Sequence, residues 1–280
     1  MSETSTTLEA RERALLASLA GMGSALVAFS AGVDSTLLAA VAHEVLGERA
    51  LAVTGISPSV AVEERGQAAE LAREIGVRYR TVETREMDDP GYVANNPDRC
   101  FHCKDELLTR LRAIADAERI AWVVDGYNVD DLGDYRPGQQ AARMHGVRSP
   151  FVEARLNKSD IRELSRRRGL PTWDKPAMAC LSSRIPYGIH VTEEALRRIG
   201  AAELLIRQQG VRTVRVRHHD TVARIETDRA GMRVLLEEDV SARVVAGLKE
   251  LGYAYVTLDL AGYRSGSLNE VLTLTPVSRG

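Results

Sequence analysis

The chain has 280 residues, 44% of them hydrophobic and 27% charged, with a formal net charge of −2. That composition belongs to a globular protein long enough for two domains, and it excludes a general nucleic-acid or membrane-surface binder. The polar first seven residues lack the basic and apolar regions of a signal peptide, no apolar run approaches the ~20 residues needed to cross a bilayer, and three cysteines do not make a disulfide framework, so a cytoplasmic protein is expected.

Residues 7–20 have helical periodicity, with Leu8, Ala14, Leu15, Leu16 and Leu19 as the expected buried positions. A strand follows over 25–29, then a tight turn and a buried helix over 37–46. Strands over 51–56, 77–82 and 121–125 alternate with helices over 62–75 and 104–117. This alternation predicts a doubly wound parallel α/β sheet with helices on both faces. Residues 149–153 read as one more short strand and residues 158–168 as a basic helix. The pattern then changes to a helix over 192–209, a hairpin of 211–216 with 222–227, a helix over 240–251 and a strand over 253–260. The expected domains are therefore residues 1–172 and a smaller α+β domain, residues 173–280.

Between the first strand and its helix stand Ser30-Ala31-Gly32-Val33-Asp34-Ser35 and Thr36. Small residues allow close backbone approach, and the hydroxyls and the first helical N–H groups suit a phosphate. No Lys follows Gly32, so this is not the common Gly-Lys-Ser/Thr phosphate loop. An ordinary capped turn has the same composition. Residues 30–35, 56–59 and 126–131 would all lie at the C-terminal rim of the sheet, where ligands bind in such folds.

Cys100 and Cys103 form a CxxC pair, which suits a metal, a cluster or a redox dithiol. With Cys180 they could hold a four-iron cluster with one iron left open; three unrelated thiols remain an equal reading. Arg184 near Cys180 would favour a thiolate. Arg215 and Arg217 alternate with Val214 and Val216, so they share one strand face and suit a phosphate or carboxylate. With Glu226 on the paired strand and Glu203 on the preceding helix, the residues by themselves favour a salt-bridge ladder on a solvated face. His218 and His219 fall in a wet turn. Asp130 and Asp131 suit either Mg2+ or a turn cap, and Lys158, Arg166, Arg167 and Arg168 read as a solvated helix face.

The loop Ser30–Ser35 resembles the Ser-Gly-Gly-x-Asp-Ser pyrophosphate-loop signature of the ATP pyrophosphatase superfamily. Over nearly its full length the chain is similar to the LarE family, the pyridinium biscarboxylic acid mononucleotide sulfurtransferases of nickel-pincer cofactor synthesis. The resemblance is carried by the loop, residues 96–104, Gly126-Tyr127-Asn128-Val129-Asp130-Asp131, residues 173–188, Arg215-Val216-Arg217-His218 and Gly262-Tyr263-Arg264-Ser265-Gly266. It implies an ATP-dependent enzyme that adenylates a substrate carboxylate with Mg2+, releases pyrophosphate and forms a thiocarboxylate. Ser30, Gly32, Asp34, Ser35 and Thr36 would bind the ATP phosphates. Ser183, Arg184, Arg215 and Arg217 would bind a small nucleotide-like substrate, and Glu203 and Glu226 a divalent metal. Cys100, Cys103 and Cys180 would hold a [4Fe-4S] cluster carrying an extra sulfide. Sacrificial use of Cys180, leaving dehydroalanine, and a tRNA-thiolating enzyme are the alternatives. The family tends to form homo-hexamers, with no nucleic-acid or membrane partner. One departure stands out: Ala31 replaces the first Gly, which matters if φ is positive there.

Overall fold

The computed structural model describes residues 7–133, 137–176, 179–264 and 268, with the backbone alone at 62–65. Ala177, Met178, Ser265 and Gly266 of the motifs above lie outside these residues. The chain divides into two compact units, Met1–Asp89 with Asp98–Met178, and Pro90–Pro97 with Ala179–Gly280. The boundary expected at 172/173 thus falls after Met178, and residues 90–97 join the second unit.

In the first unit α1 (Leu8–Met22), β1 (Ala25–Ala28), α2 (Val33–Leu46), β2 (Ala50–Ile56), α3 (Val62–Ile75) and β3 (Arg78–Glu83) follow in order. The short α4 (Pro90–Val93) belongs to the second unit, and α5 (Arg99–Ala117), β4 (Trp122–Val124), α6 (Pro137–Met144), α7 (Pro150–Glu153) and α8 (Lys158–Arg167) complete the first. The four strands make one parallel sheet ordered β3-β2-β1-β4. The two central strands β1 and β2 are near-continuous apolar runs because both faces are covered, whereas the edge strand β3 is polar and mostly exposed. Strand alternation divides their side chains between two cores. Ala25, Val27, Ala52 and Val124 pack with Leu15, Leu19, Leu37 and Leu38 of α1 and α2, and with Leu164 of α8. Leu26, Leu51, Val53 and Val123 pack with Leu108 and Leu111 of α5 and Ala141 of α6. The expected α/β fold is present. Winding runs outward from β1 to β2 and β3, then returns to set β4 on the other side of β1. The switch point therefore lies between β1 and β4, just beyond which the loop of residues 29–32 begins.

Some local expectations give way here. Residues 150–153, read as part of a strand, form α7, because Pro150 opens a helical turn readily and cannot donate to a ladder; pairing is limited to a single bridge between Val124 and Arg148. Ala14 is exposed, whereas Leu15 and Leu19 are buried. Helix α5 begins at Arg99 rather than at Lys104, which takes the CxxC pair into its first turns.

The second unit holds α9 (Glu193–Gln208), β5 (Val214–His219), β6 (Val222–Thr227), α10 (Arg229–Leu235), α11 (Glu238–Glu250) and β7 (Tyr255–Leu258). β5 and β6 are the expected hairpin, and β7 pairs parallel to β6 after the two helices. Ala202 and Ile206 of α9 pack with Val214, Val216, Ile225, Val244 and Leu248. The sequence reading missed α10, which Asp228 caps through the Gly231 N–H at 2.8 Å. His218 is not in a turn: it is buried on β5 with Nδ1 3.1 Å from the Tyr253 hydroxyl, and burial holds its imidazole below the usual value. Residues 90–97 strap this unit. Val191 N–H donates to Val93 O at 2.9 Å, and Asn95 Nδ2 donates to the carbonyls of Pro186 and Ile189, each at 2.8 Å. Among the described residues no helix is long and apolar enough to cross a membrane.

Candidate functional site

The loop begins where β1 stops. Phe29 N–H still donates to Val53 O at 2.9 Å, and its carbonyl accepts the Thr54 hydroxyl at 2.7 Å, so the exit from the strand is fixed. Ala31 then adopts φ +55°, the left-handed conformation its expected Gly would have made easy. Gly32 is the N-cap of α2, and no side chain caps that helix. Side chains of Thr7, Asn157, Thr192 and Asp228 cap α1, α8, α9 and α10, while α3, α5, α7 and α11 start without a side-chain cap as α2 does. The first N–H groups of α2 are thus left to whatever meets them from outside the helix. Ser35 Oγ accepts the Ser30 N–H at 3.2 Å and lies 3.1 Å from Ser30 Oγ, which draws the loop into a tight turn. Thr36 is fully buried, and its hydroxyl has no hydrogen-bond partner among the described residues.

The loop after β4 reaches the same rim. Gly126, just after β4, packs so closely that a Cβ there would stand 2.9 Å from Asp34 Cβ and 3.1 Å from Ser35 N. Asn128 Nδ2 donates to Asp34 Oδ1 at 3.4 Å. Lysines come from far along the chain. Lys158 Nζ ion-pairs with Asp34 Oδ2, and Lys175 Nζ donates to Ala31 O at 3.1 Å and Gln67 Oε1 at 3.2 Å. The cation that the motif lacks at its own end is therefore present at the loop. Asp130 accepts the N–H of Lys158 at the start of α8, at 2.9 Å, and Asp131 accepts that of Asn128 within its own turn, at 3.1 Å.

Cys100 and Cys103 sit one turn apart at the start of α5, so their side chains share a helix face. Cys100 is exposed, Cys103 half-buried and Cys180 exposed, and none is in a disulfide. His102, between the pair, is held by Asp89 at 2.8 Å through Nδ1. Cys180 belongs to the second unit, where it is the N-cap of the turn Leu181–Arg184.

In the second unit Arg184 and Arg217 are buried, not solvated, and Arg215 is half-buried. Arg184 grips Glu203 with two bonds, Nε to Oε1 at 2.8 Å and Nη2 to Oε2 at 3.1 Å. Glu203, fully buried on α9, also accepts Arg207 Nη2 at 2.8 Å and Val216 N–H at 3.1 Å. Arg217 Nη2 donates to Glu226 Oε2 at 2.8 Å, with both side chains buried. Arg215 lies over the Tyr263 ring, 4.7 Å from its centre. Burial first, then Arg184, holds its guanidinium below the ordinary arginine value, and among the described residues no carboxylate pairs with it. Glu203 and Glu226 are thus engaged by guanidinium groups rather than offered as an open ligand set. Among the described residues no cluster of three or more His, Cys, Asp or Glu side chains could hold a metal ion.

No protein-family model matches the chain. It is 47% identical over 249 residues to an uncharacterised protein of Synechocystis, covering 89% of this chain and 93% of that one. It is 39% identical over 268 residues to the pyridinium-3,5-bisthiocarboxylic acid mononucleotide synthase of Lactiplantibacillus plantarum, covering 95% of this chain and 96% of the relative. The chain belongs to the LarE family. At 25% identity over 240 residues, an uncharacterised protein of Methanocaldococcus jannaschii covers 86% of this chain and 90% of its own length.

For this LarE-family chain the structure brings Ser30, Gly32, Asp34 and Ser35 together at the switch point and places Arg184, Arg217, Glu203 and Glu226 in one buried set of pairs. Lys158 and Lys175 escaped the sequence reading as parts of the first site, whereas the 126–131 loop with Gly126 and Asn128 was expected at this rim. Gly126 carried a signal, since a glycine directly after a buried strand marks close backbone approach. Lys158 carried none that separates it from a solvated helix face.

Proposed function

We propose that this chain is an ATP-dependent sulfurtransferase that converts a carboxylate of pyridinium biscarboxylic acid mononucleotide to a thiocarboxylate in nickel-pincer nucleotide synthesis. The observation that carries the reading is the near full-length identity to the Lactiplantibacillus plantarum synthase. The uncapped start of α2, with Lys158 and Lys175 beside it, supports ATP phosphate binding at Ser30, Gly32, Asp34 and Ser35. Attack of a substrate carboxylate oxygen on the α-phosphorus of ATP would form an acyl-adenylate and release pyrophosphate, with Mg2+ and the lysines offsetting the phosphate charge. A sulfur nucleophile would then attack the acyl carbon and expel AMP. Arg215, with no carboxylate partner among the described residues, is suited to the substrate's phosphate or carboxylate.

Three reduced thiols are a donor set that fits a cluster, and Cys100, Cys103 and Cys180 would hold it. Bound there, a [4Fe-4S] cluster would supply the transferable sulfide. The test is turnover of anaerobically purified protein with ATP, Mg2+ and the mononucleotide. The expected result is pyrophosphate and a thiocarboxylate product, with iron and acid-labile sulfide lost when Cys100 is replaced by Ala. A protein whose mass falls by about 34 Da after turnover would instead assign the sulfur to Cys180, as dehydroalanine forms. Absence of pyrophosphate and of thiocarboxylate would overturn the reading.

A further inference from the structure

We propose that Arg184 and Arg217 are positioning residues for Cys180, acting through two buried carboxylates, and are not contacts of the substrate anion. The purpose of this arrangement rests on the sulfur-transfer reading; its geometry does not. Cys180 is exposed at the start of its turn, yet the backbone that carries it is closely bonded. Arg184 Nη1 donates to Ala179 O at 2.6 Å, Cys180 O at 3.0 Å and Ser183 Oγ at 3.0 Å. Ser183 donates to Cys180 O as well, through Oγ at 2.8 Å and through its N–H at 3.0 Å, so that one carbonyl receives three donors. The other edge of the Arg184 guanidinium is the two-bond grip on Glu203, and Glu203 is tied to β5 through Val216 N–H. A continuous path of hydrogen bonds thus runs from the Cys180 carbonyl to the core of α9 and β5.

Arg217 repeats the device two residues along its strand. Its Nη1 donates to Ser183 O at 2.6 Å while Nη2 holds Glu226. A third brace is the bond between the Tyr92 hydroxyl and Ser182 Oγ. The turn is therefore held at residues 179, 180, 182 and 183. A substrate anion would have to draw either arginine away from a carboxylate buried to 0% exposure, leaving Glu203 with Arg207, or Glu226 with Arg224, as its remaining guanidinium. A planar guanidinium can grip a carboxylate with two parallel bonds while another nitrogen reaches two carbonyls, a fork geometry that an ammonium cannot reproduce. Such rigidity suits a residue whose sulfur must meet one fixed atom, because misplacement by about 1 Å at a reacting group costs on the order of 100-fold in rate.

The experiment uses full-length Arg184→Lys, which keeps a positive charge near Glu203 and loses the fork. Peptide-resolved iodoacetamide labelling should change at Cys180 by about fivefold or more, with Cys100 labelled at the wild-type rate. Amide exchange should quicken about tenfold over residues 180–185 and stay unchanged in α9 and β5. Calorimetric affinity for the pyridinium biscarboxylic acid mononucleotide should match wild type. Arg217→Lys should loosen residues 182–185 in the same way, and it decides the matter if Arg184→Lys does not fold. Weakened mononucleotide binding with wild-type labelling and exchange would make these arginines substrate contacts and overturn the proposal. Faster exchange spread through α9 and β5 would make them general stabilisers and overturn it also. Labelling and exchange need no turnover, so a wild-type protein without sulfurtransferase activity would sink the proposed function and leave this test intact.

Discussion

The loop after β1 and the arginine cluster of the second unit both gather cations around anions, and they do so in opposite ways. At the loop the ammonium of Lys158 and the carboxylate of Asp34 keep 34% and 26% of their side-chain surface exposed. In the cluster Arg217 and Glu226 keep 3% and 1%. An exposed pair exchanges partners readily, because water solvates each ion while the other is away. A buried pair cannot, because separation strands a charge where the effective dielectric is low. The first arrangement suits a site that must admit and release a charged ligand. The second suits a scaffold whose electrostatics are already satisfied within the protein.

Removing a carboxylate from the cluster should have the largest effect. Glu203→Ala leaves Arg184, Arg207 and the Val216 N–H without their shared acceptor, and a buried uncompensated guanidinium costs about 3–5 kcal/mol. Urea unfolding should show that loss. A loss below about 1 kcal/mol, with a divalent cation stabilising the wild type but not the variant, would place a metal site at Glu203 and erase the contrast between the regions.

Next comes Gly126→Val, which attacks the loop through shape. Its Cβ would stand 2.9 Å from Asp34 Cβ and 3.1 Å from the Asp34 carbonyl carbon, and backbone cannot yield as a flexible side-chain tip can. We expect about 1–3 kcal/mol of destabilisation and at least tenfold weaker ATP binding by calorimetry. ATP affinity equal to wild type would show that the β4 loop does not shape the nucleotide site.

Lys158→Met separates the two kinds of ion pair most cleanly. Because the pair with Asp34 is about one-third exposed, its loss should change stability by less than about 1 kcal/mol, while ATP affinity falls about tenfold. A stability loss near that of Glu203→Ala would mean that Lys158 is structural and that the loop resembles the cluster after all.

How far each region can be read from sequence follows from the range of its contacts. Ser30, Gly32 and Ser35 lie within six residues of one another, and the turn they make is a local property of small residues between a buried strand and a helix. The lysines are 124 and 144 residues from their partners, and nothing local distinguishes Lys158 from its solvated neighbours on α8. The cluster was half legible. Strand alternation places Arg215 and Arg217 on the face away from Val214 and Val216, and the register sets Arg215 opposite Glu226. The expected ladder is nevertheless displaced, since Glu226 bonds Arg217, the diagonal neighbour. The face expected to be wet is covered, because Glu203 from α9 and the turn Leu181–Arg184 supply partners that no strand pattern contains.

The smallest expected effect lies at Ala31, where two local terms oppose each other. With φ at +55°, an L side chain costs roughly 1–2 kcal/mol, and Gly would remove that cost. Gly also widens the unfolded ensemble, by roughly 0.5–1 kcal/mol relative to Ala. The methyl group is 2% exposed and joins the core beside Phe29 and Val33, so its removal forfeits some burial. The balance should leave Ala31→Gly within about 1 kcal/mol of wild type, shifted towards stability if strain dominates. ATP affinity should hold, since the methyl that is lost is packed in the core. A clear loss of stability would instead show that packing outweighs strain at the tip, and that the loop borrows rigidity from the core much as the arginine cluster does.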